Sequence, residues 1–136
     1  CINEEVLQIL KKYAVHTIEL GAQSMDDAVL LKSGRGHTSA DTENAAKLIK
    51  SSGFSLILQM MTHLPGSKDS LDIETAKKIA ALSPSGVRVY PTVVIRNTGL
   101  ETLWLEGKYT PATPEEAAEI TYNNACELFG IKNNER

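Results

Sequence analysis

Gln23, in the run Gly21-Ala22-Gln23-Ser24, offers an amide that both donates and accepts hydrogen bonds. Arg35, in Gly34-Arg35-Gly36-His37-Thr38, offers a planar guanidinium that matches a carboxylate or a phosphate. Side by side, these two would suit a small ligand with an acid group and a polar head. Two further stretches belong with them, Gln59 to Gly66 and Tyr90-Pro91-Thr92, because each follows an apolar run of strand type. In α/β sheets and barrels, ligands meet the loops at the carboxyl ends of the strands, so the stretches converge if the strands run parallel. Considered alone, these residues support a binding face and no reaction.

Other readings of the same residues stay open. The glycines around Arg35 also fit the end of one helix and a turn before the next, and a lone G-x-G is a weak phosphate signal. His37 and His63 have no Cys or carboxylate at ligand spacing, so no metal site is expected. Cys1 and Cys126 lie too far apart for a metal or redox motif and read as structural thiols. His16 opens a strand and reads as structural. Tyr90 also fits a half-buried ring with a satisfied hydroxyl, Trp104 an anchor of a short helix against the core, and Met60 and Met61 gap fillers on a buried strand.

The elements that must position these groups follow from periodicity and caps. Val6, Leu7 and Leu10 behind Asn3 predict a helix over 3–13, and His16 to Leu20 a short strand. Ser24, with Asp27 as its capping-box partner, predicts a helix that ends at Gly34. Thr38 with Asp41 predicts the next, with Ala45, Ala46, Leu48 and Ile49 as its buried stripe. Phe54 to Met61 is apolar except for Ser55 and Gln59, the pattern of a strand covered on both faces. Ile73, Ala76, Ile79 and Ala80 predict a helix over 71–83, followed by the strand Val87-Arg88-Val89-Tyr90. Thr98 with Glu101 opens a short helix closed by Gly107. Thr113-Pro114-Glu115-Glu116 opens a final helix that stops at Gly130. Strands centred near residues 18, 57 and 89 with helices between them have the spacing of parallel βαβ units.

The balance of 14 Lys and Arg against 17 Asp and Glu gives a formal net charge of −3, which argues against nucleic-acid binding by this chain alone. With 136 residues, of which 42% are hydrophobic and 23% charged, the chain is one domain with a real core. No apolar run reaches the roughly 18 residues of a membrane span, so the expected location is cytoplasmic. Cys1 in place of Met, running directly into the helix start at Asn3, suggests a fragment from which an upstream portion has been removed. A parallel sheet of three strands has two exposed edges and is rarely a complete domain. Those edges are expected to be covered either by an absent N-terminal half of a barrel or by a second copy of the chain, as a homo-oligomer.

At the same loops the chain resembles the radical S-adenosylmethionine (SAM) superfamily, most closely the catalytic subunit of Elongator and its bacterial relatives. The resemblance rests on Ile18 to Ser24, Gly34 to Thr38, Gln59 through Leu64-Pro65-Gly66, and Val89 to Ile95, and it extends to Leu103-Trp104 and Gly107-Lys108-Tyr109. Oxygen-independent coproporphyrinogen III oxidase is a more distant relative, sharing the G-x-Q-S and G-R-x-H-T elements. The resemblance implies a partial TIM-like (β/α)6 barrel. This chain would hold its fourth to sixth strands, a (β/α)3 half with parallel strands and trailing helices, as the C-terminal half of a radical SAM core over residues 1–136.

It further implies an earlier loop with C-x-x-x-C-x-x-C whose thiolates hold a 4Fe–4S cluster. One-electron reduction of SAM at that cluster releases a 5′-deoxyadenosyl radical. This sequence has no such triplet, so the chain by itself is expected to be catalytically silent and to bind neither cofactor tightly. By motif position Gln23 and Arg35 match residues that hold SAM, Gln59 stands where the oxidase branch has an aspartate contacting it, and Tyr90 lines the cavity. The full-length form would modify a tRNA wobble uridine using SAM and an acetyl donor. Relatives usually carry P-G-L-P-G where this chain has Thr62-His63-Leu64-Pro65-Gly66. A porphyrinogen oxidase and a non-enzymatic, self-associating half-barrel are the competing expectations.

Overall fold

The computed structural model describes residues 2–131, and Cys1 lies outside them. The chain runs α1 (Glu4–Lys12), β1 (Thr17–Gln23), α2 (Asp27–Lys32), α3 (Ser39–Ser51), β2 (Ser55–Thr62), α4 (Asp69–Ala81), β3 (Gly86–Pro91), α5 (Gly99–Leu105) and α6 (Pro114–Phe129). The three strands form one parallel sheet in the order β1-β2-β3. That is the α/β architecture the strand spacing predicts, with helices as the connections a parallel pair requires.

Capping chemistry sets most helix boundaries. Asn3 accepts the Val6 N–H at the start of α1. Thr38 and Asp41 form a reciprocal capping box on α3, and Thr113 and Glu116 form another on α6, where Pro114 occupies the first turn. Gly130 ends α6 in the left-handed conformation at φ 62°. Replacing Thr38 by Ala removes the acceptor for the Asp41 N–H. The expected loss is about 1 kcal/mol, read as a lower urea midpoint with an unchanged slope.

Three expectations are corrected. Asp26, not Ser24, caps α2, its carboxylate accepting the Val29 N–H at 2.9 Å. Ser24 is drawn inward instead, to 3.3 Å from the Thr75 hydroxyl, and Asp27 reaches across to the Ser39 N–H. Trp104 does not anchor α5 in the core: it is 47% exposed, because α5 buries no side chain and lies on the periphery. Finally, β2 is covered on one face only. Leu56, Leu58, Met60 and Thr62 are buried, whereas Ile57, Gln59 and Met61 on the other side are half-exposed.

The reason is the placement of the helices. Leu7 of α1, Ala46 and Ile49 of α3, and Ala76 and Ile79 of α4 all join the cluster built on Ile18, Leu56, Leu58 and Met60, with Leu128 of α6 packed against it. Every helix that contributes to the core therefore lies on one face of the sheet. The opposite face, which carries Glu19, Gly21, Gln59, Arg88 and Tyr90, is left open. No helix among the described residues is long and apolar enough to cross a membrane.

Candidate functional site

The carboxyl end of β1 departs from regular pairing. Gly21 pairs with Gln59, but Gln23 pairs with Met60, so Ala22 is the extra residue of a bulge. Gln23 has φ +64°, a left-handed conformation that costs a side-chain-bearing residue roughly 1–3 kcal/mol and that clusters at binding sites. This turn brings its amide back over Gly21. A Cβ built on Gly21 would lie 2.6 Å from Gln23 Nε2 and 3.6 Å from Arg35 Nη2, so the space above that glycine is where the two groups meet.

Gln23 is only 8% exposed, and its Oε1 is buried with no hydrogen-bond partner among the described residues. A buried amide oxygen left without a donor costs about 1–3 kcal/mol, which a ligand donor would recover. Arg35 is placed by the chain reversal after α2: Gly34 takes φ +67°, and the Arg35 N–H donates to Leu30 O at 2.9 Å. The Arg35 side chain is exposed and makes no ion pair among the described residues. It stands between two cavities. One, of about 500 Å³, lies toward Met61, Leu64, Pro65 and Leu103 and also touches Gln23. The other, of about 800 Å³, lies toward the free edge of β1 with Leu20, Gly21 and His37.

The remaining sequence-predicted residues are placed differently. Gln59 follows Gly21 across the sheet, and its Nε2 donates to Glu19 Oε1 at 2.6 Å. The same oxygen accepts Arg88 Nε at 2.7 Å. Tyr90 lies on the same face beyond Arg88, is 41% exposed and lines neither cavity. Gln23 and Arg35 are therefore brought together, Gln59 is their neighbour, and Tyr90 stands apart. Glu19 and Arg88 were not picked out from the sequence. Their signal was a single charge inside Ile18-Glu19-Leu20 and Val87-Arg88-Val89, at the positions that alternation turns toward the open face.

The wall of the smaller cavity is the β2–α4 loop, and a buried clamp holds it. Asp72, 2% exposed, accepts the His63 N–H at 2.8 Å and the Ser67 hydroxyl at 2.5 Å. Tyr109 donates its hydroxyl to His63 O at 2.9 Å, and the His63 ring lies 3.2 Å from Thr110 O through Nε2. His63 has φ +61°, a conformation natural to glycine, and these contacts at both its backbone groups hold it there. Burial pushes the Asp72 carboxyl above the usual range, against the two hydrogen bonds and the nearby His63 ring, which lower it. Among the described residues no three His, Cys, Asp or Glu side chains converge as a metal site. His37 is bonded to Ala22 O and His63 to Thr110 O, and Cys126 is buried.

Two family models match the chain: the Radical SAM superfamily over residues 1–79 and the Radical SAM C-terminal domain over residues 84–127. The tRNA uridine(34) acetyltransferase of Methanocaldococcus jannaschii is 37% identical over 88% of this chain, and human Elongator complex protein 3 is 34% identical over the same share. The chain spans 23% and 22% of the length of these two relatives. Among solved structures, the archaeal Methanocaldococcus infernus Elp3 with an N-terminal deletion superposes with a TM-score of 0.81 at 33% identity, over 97% of this chain and 30% of that one. Coproporphyrinogen III oxidase from Escherichia coli, a radical SAM enzyme, shares the fold with a TM-score of 0.74 at 17% identity, over 95% of this chain and 30% of that one.

Proposed function

The chain belongs to the radical SAM superfamily, and from that premise we propose that it forms the SAM-contacting C-terminal part of the barrel of an Elongator-like enzyme acting on a tRNA uridine. The observation that carries the proposal is the pairing of an orphaned buried amide, Gln23, with an unpaired guanidinium, Arg35, over a glycine at the carboxyl end of a parallel strand. SAM carries an α-amino and an α-carboxylate group. Arg35 is suited to the carboxylate and Gln23 Oε1 to an N–H donor, so the residues present fit this cofactor. Gln59, the adjacent position in the row, closes the site on the β2 side, and Tyr90 extends the same face.

SAM, when bound and reduced by one electron, supplies hydrogen-atom abstraction chemistry. The work of this chain is to bind and aim it. Among the described residues no set of three soft ligands converges, so they do not fit a 4Fe–4S cluster, and in this reading its ligands belong to sequence outside them. With β1 to β3 as the fourth to sixth strands of a (β/α)6 barrel, the free edge of β1 would pair with the preceding strand and the open sheet face would line the barrel interior. In this reading tRNA is a substrate of the whole protein, consistent with the net charge of −3 on this part.

The test is SAM binding to the whole protein by calorimetry. Arg35→Ala is expected to weaken it by roughly 1.5–3 kcal/mol, the worth of one charge-assisted hydrogen bond. Unchanged affinity would remove Arg35 from the site and with it the cofactor-binding reading of this loop. A porphyrinogen substrate gains no support from the chain itself, since likeness to the oxidase at 17% identity shows fold alone.

A further inference from the structure

Lys32, the last residue of α2, makes no ion pair and no hydrogen bond among the described residues. Several other cations of the chain have partners. Arg88 lies 2.7 Å from Glu19, Lys108 lies 2.7 Å from Glu106, and Lys50 donates to Leu82 O at 2.7 Å. Lys32 is held by packing instead. Its stem crosses the Leu64-Pro65-Gly66 turn, where a Cβ built on Gly66 would overlap Lys32 Cδ and lie 3.1 Å from Nζ. Gly66, at φ +83°, leaves the lysine its path, and the ammonium rests over the β2–α4 loop.

The cavity of about 500 Å³ is lined by both Lys32 and Arg35, and no Asp or Glu is among its described lining residues. Two like charges with no counter-charge between them repel each other, and apolar walls focus the field in the space they share. That field is local, since the chain as a whole carries a net charge of −3. An anion in the cavity would neutralise what the protein leaves uncompensated.

The rest of the lining sets the character of that anion. Leu64, Pro65 and Leu103 form an apolar wall, and Ser33 adds a hydroxyl with no hydrogen-bond partner among the described residues. A cavity of this volume, apolar with a few polar groups, takes a ligand with a charged head and a flat body better than a bare ion. A carboxylate carries one charge, which Arg35 alone matches with its paired N–H groups. Two cations suit a phosphate ester, which offers more acceptor oxygens and, as a monoester, nearly two charges.

We infer that Lys32, together with Arg35, forms a phosphate-ester subsite in this cavity, which holds a nucleotide by its phosphate with the base against Leu64 and Leu103. The inference goes beyond the SAM reading. SAM bears no phosphate, and its cradle lies over Gly21, which lines the other cavity beside Arg35. The recognising chemistry is the same for a free nucleotide and for a phosphodiester of an RNA strand, and the choice of probes separates the two.

The test uses the whole protein in equilibrium binding, with AMP, adenosine and the dinucleoside monophosphate ApA as probes, each titrated with and without saturating SAM. The tighter of AMP and ApA is expected to bind at least tenfold better than adenosine, and SAM to change that affinity less than threefold. AMP tighter than ApA assigns the site to a free nucleotide, and ApA at least as tight as AMP assigns it to a strand. Lys32→Met keeps the stem over Gly66 and should cut the preference over adenosine to less than threefold, with SAM affinity changed less than twofold. Lys32→Arg should restore most of the preference. Equal binding of all three probes overturns the subsite, as does a preference that survives Lys32→Met. Loss of AMP and ApA binding on adding SAM also overturns it, since the cavity would then be part of the seat of SAM itself. Each of these results leaves the SAM reading standing, whereas failure of SAM to bind the wild-type protein overturns that reading and not the subsite.

Discussion

Asp72→Ala is expected to lower the unfolding free energy by roughly 2–4 kcal/mol, because it orphans two donors in one buried place. The His63 N–H and the Ser67 hydroxyl both end on this carboxylate. Water cannot replace it without opening the β2–α4 loop, since Asp72 is almost wholly buried. Released from the clamp, His63 also loses part of what holds it at positive φ. Asp72→Asn separates charge from shape. It keeps one acceptor and leaves the Ser67 hydroxyl free to turn and accept from the new amide, so a loss well under that of alanine is expected.

The same pair of variants exposes the sign of the pH dependence. Burial raises the Asp72 carboxyl above its ordinary value, so the folded state holds its proton more tightly than the unfolded chain does. That contribution is fully present below the unfolded carboxylate range, and it is lost as pH rises through the raised value. Asn carries no titrating proton. The wild-type advantage over Asp72→Asn should therefore be largest near pH 3–4 and shrink toward neutrality, measured as the difference in urea unfolding free energy. A gap that widens with rising pH would mean that the hydrogen bonds from His63 and Ser67 outweigh burial.

Gly21→Val is expected to weaken SAM binding about a hundredfold, or ~2.7 kcal/mol, without weakening the fold. The added Cβ alone would intrude to 2.6 Å on the Gln23 amide, and the branched methyls would enter the space shared with Arg35. Both groups of the cradle would have to move, so the effect exceeds that expected from losing one of them. Stability should respond in the opposite sense. The Gly21 backbone does not require a positive φ, and valine is favoured in strands over glycine. A calorimetric loss of binding with an unchanged or higher melting temperature is the expected result. Retained affinity would show that ligand does not occupy the space above Gly21.

Capping boxes are local, and both Thr38 with Asp41 and Thr113 with Glu116 form as their spacing predicts, because a cap is satisfied within a single turn. The Ser24 assignment failed because a distant hydroxyl on α4, Thr75, competes for that side chain and leaves the cap to Asp26. Trp104 failed for a related reason: a large apolar residue at helical spacing reports the capacity for burial, but not whether a surface is there to receive it.

The sequence by itself determined the order and type of the elements, the parallel sheet implied by their spacing, and the Gln23 and Arg35 loops as the place to look. Periodicity, caps and breakers act over a few residues and are written in the chain. Only the tertiary structure decided that one sheet face is covered and the other open, since β2 is apolar on both sides and its composition cannot tell which side the helices take. Only the fold, likewise, set a left-handed bulge that folds Gln23 back over Gly21, and placed Gln59 and Arg88 on one carboxylate oxygen of Glu19. Those contacts depend on strand register, in which residues some 40 apart in sequence meet at hydrogen-bond distance once the sheet forms.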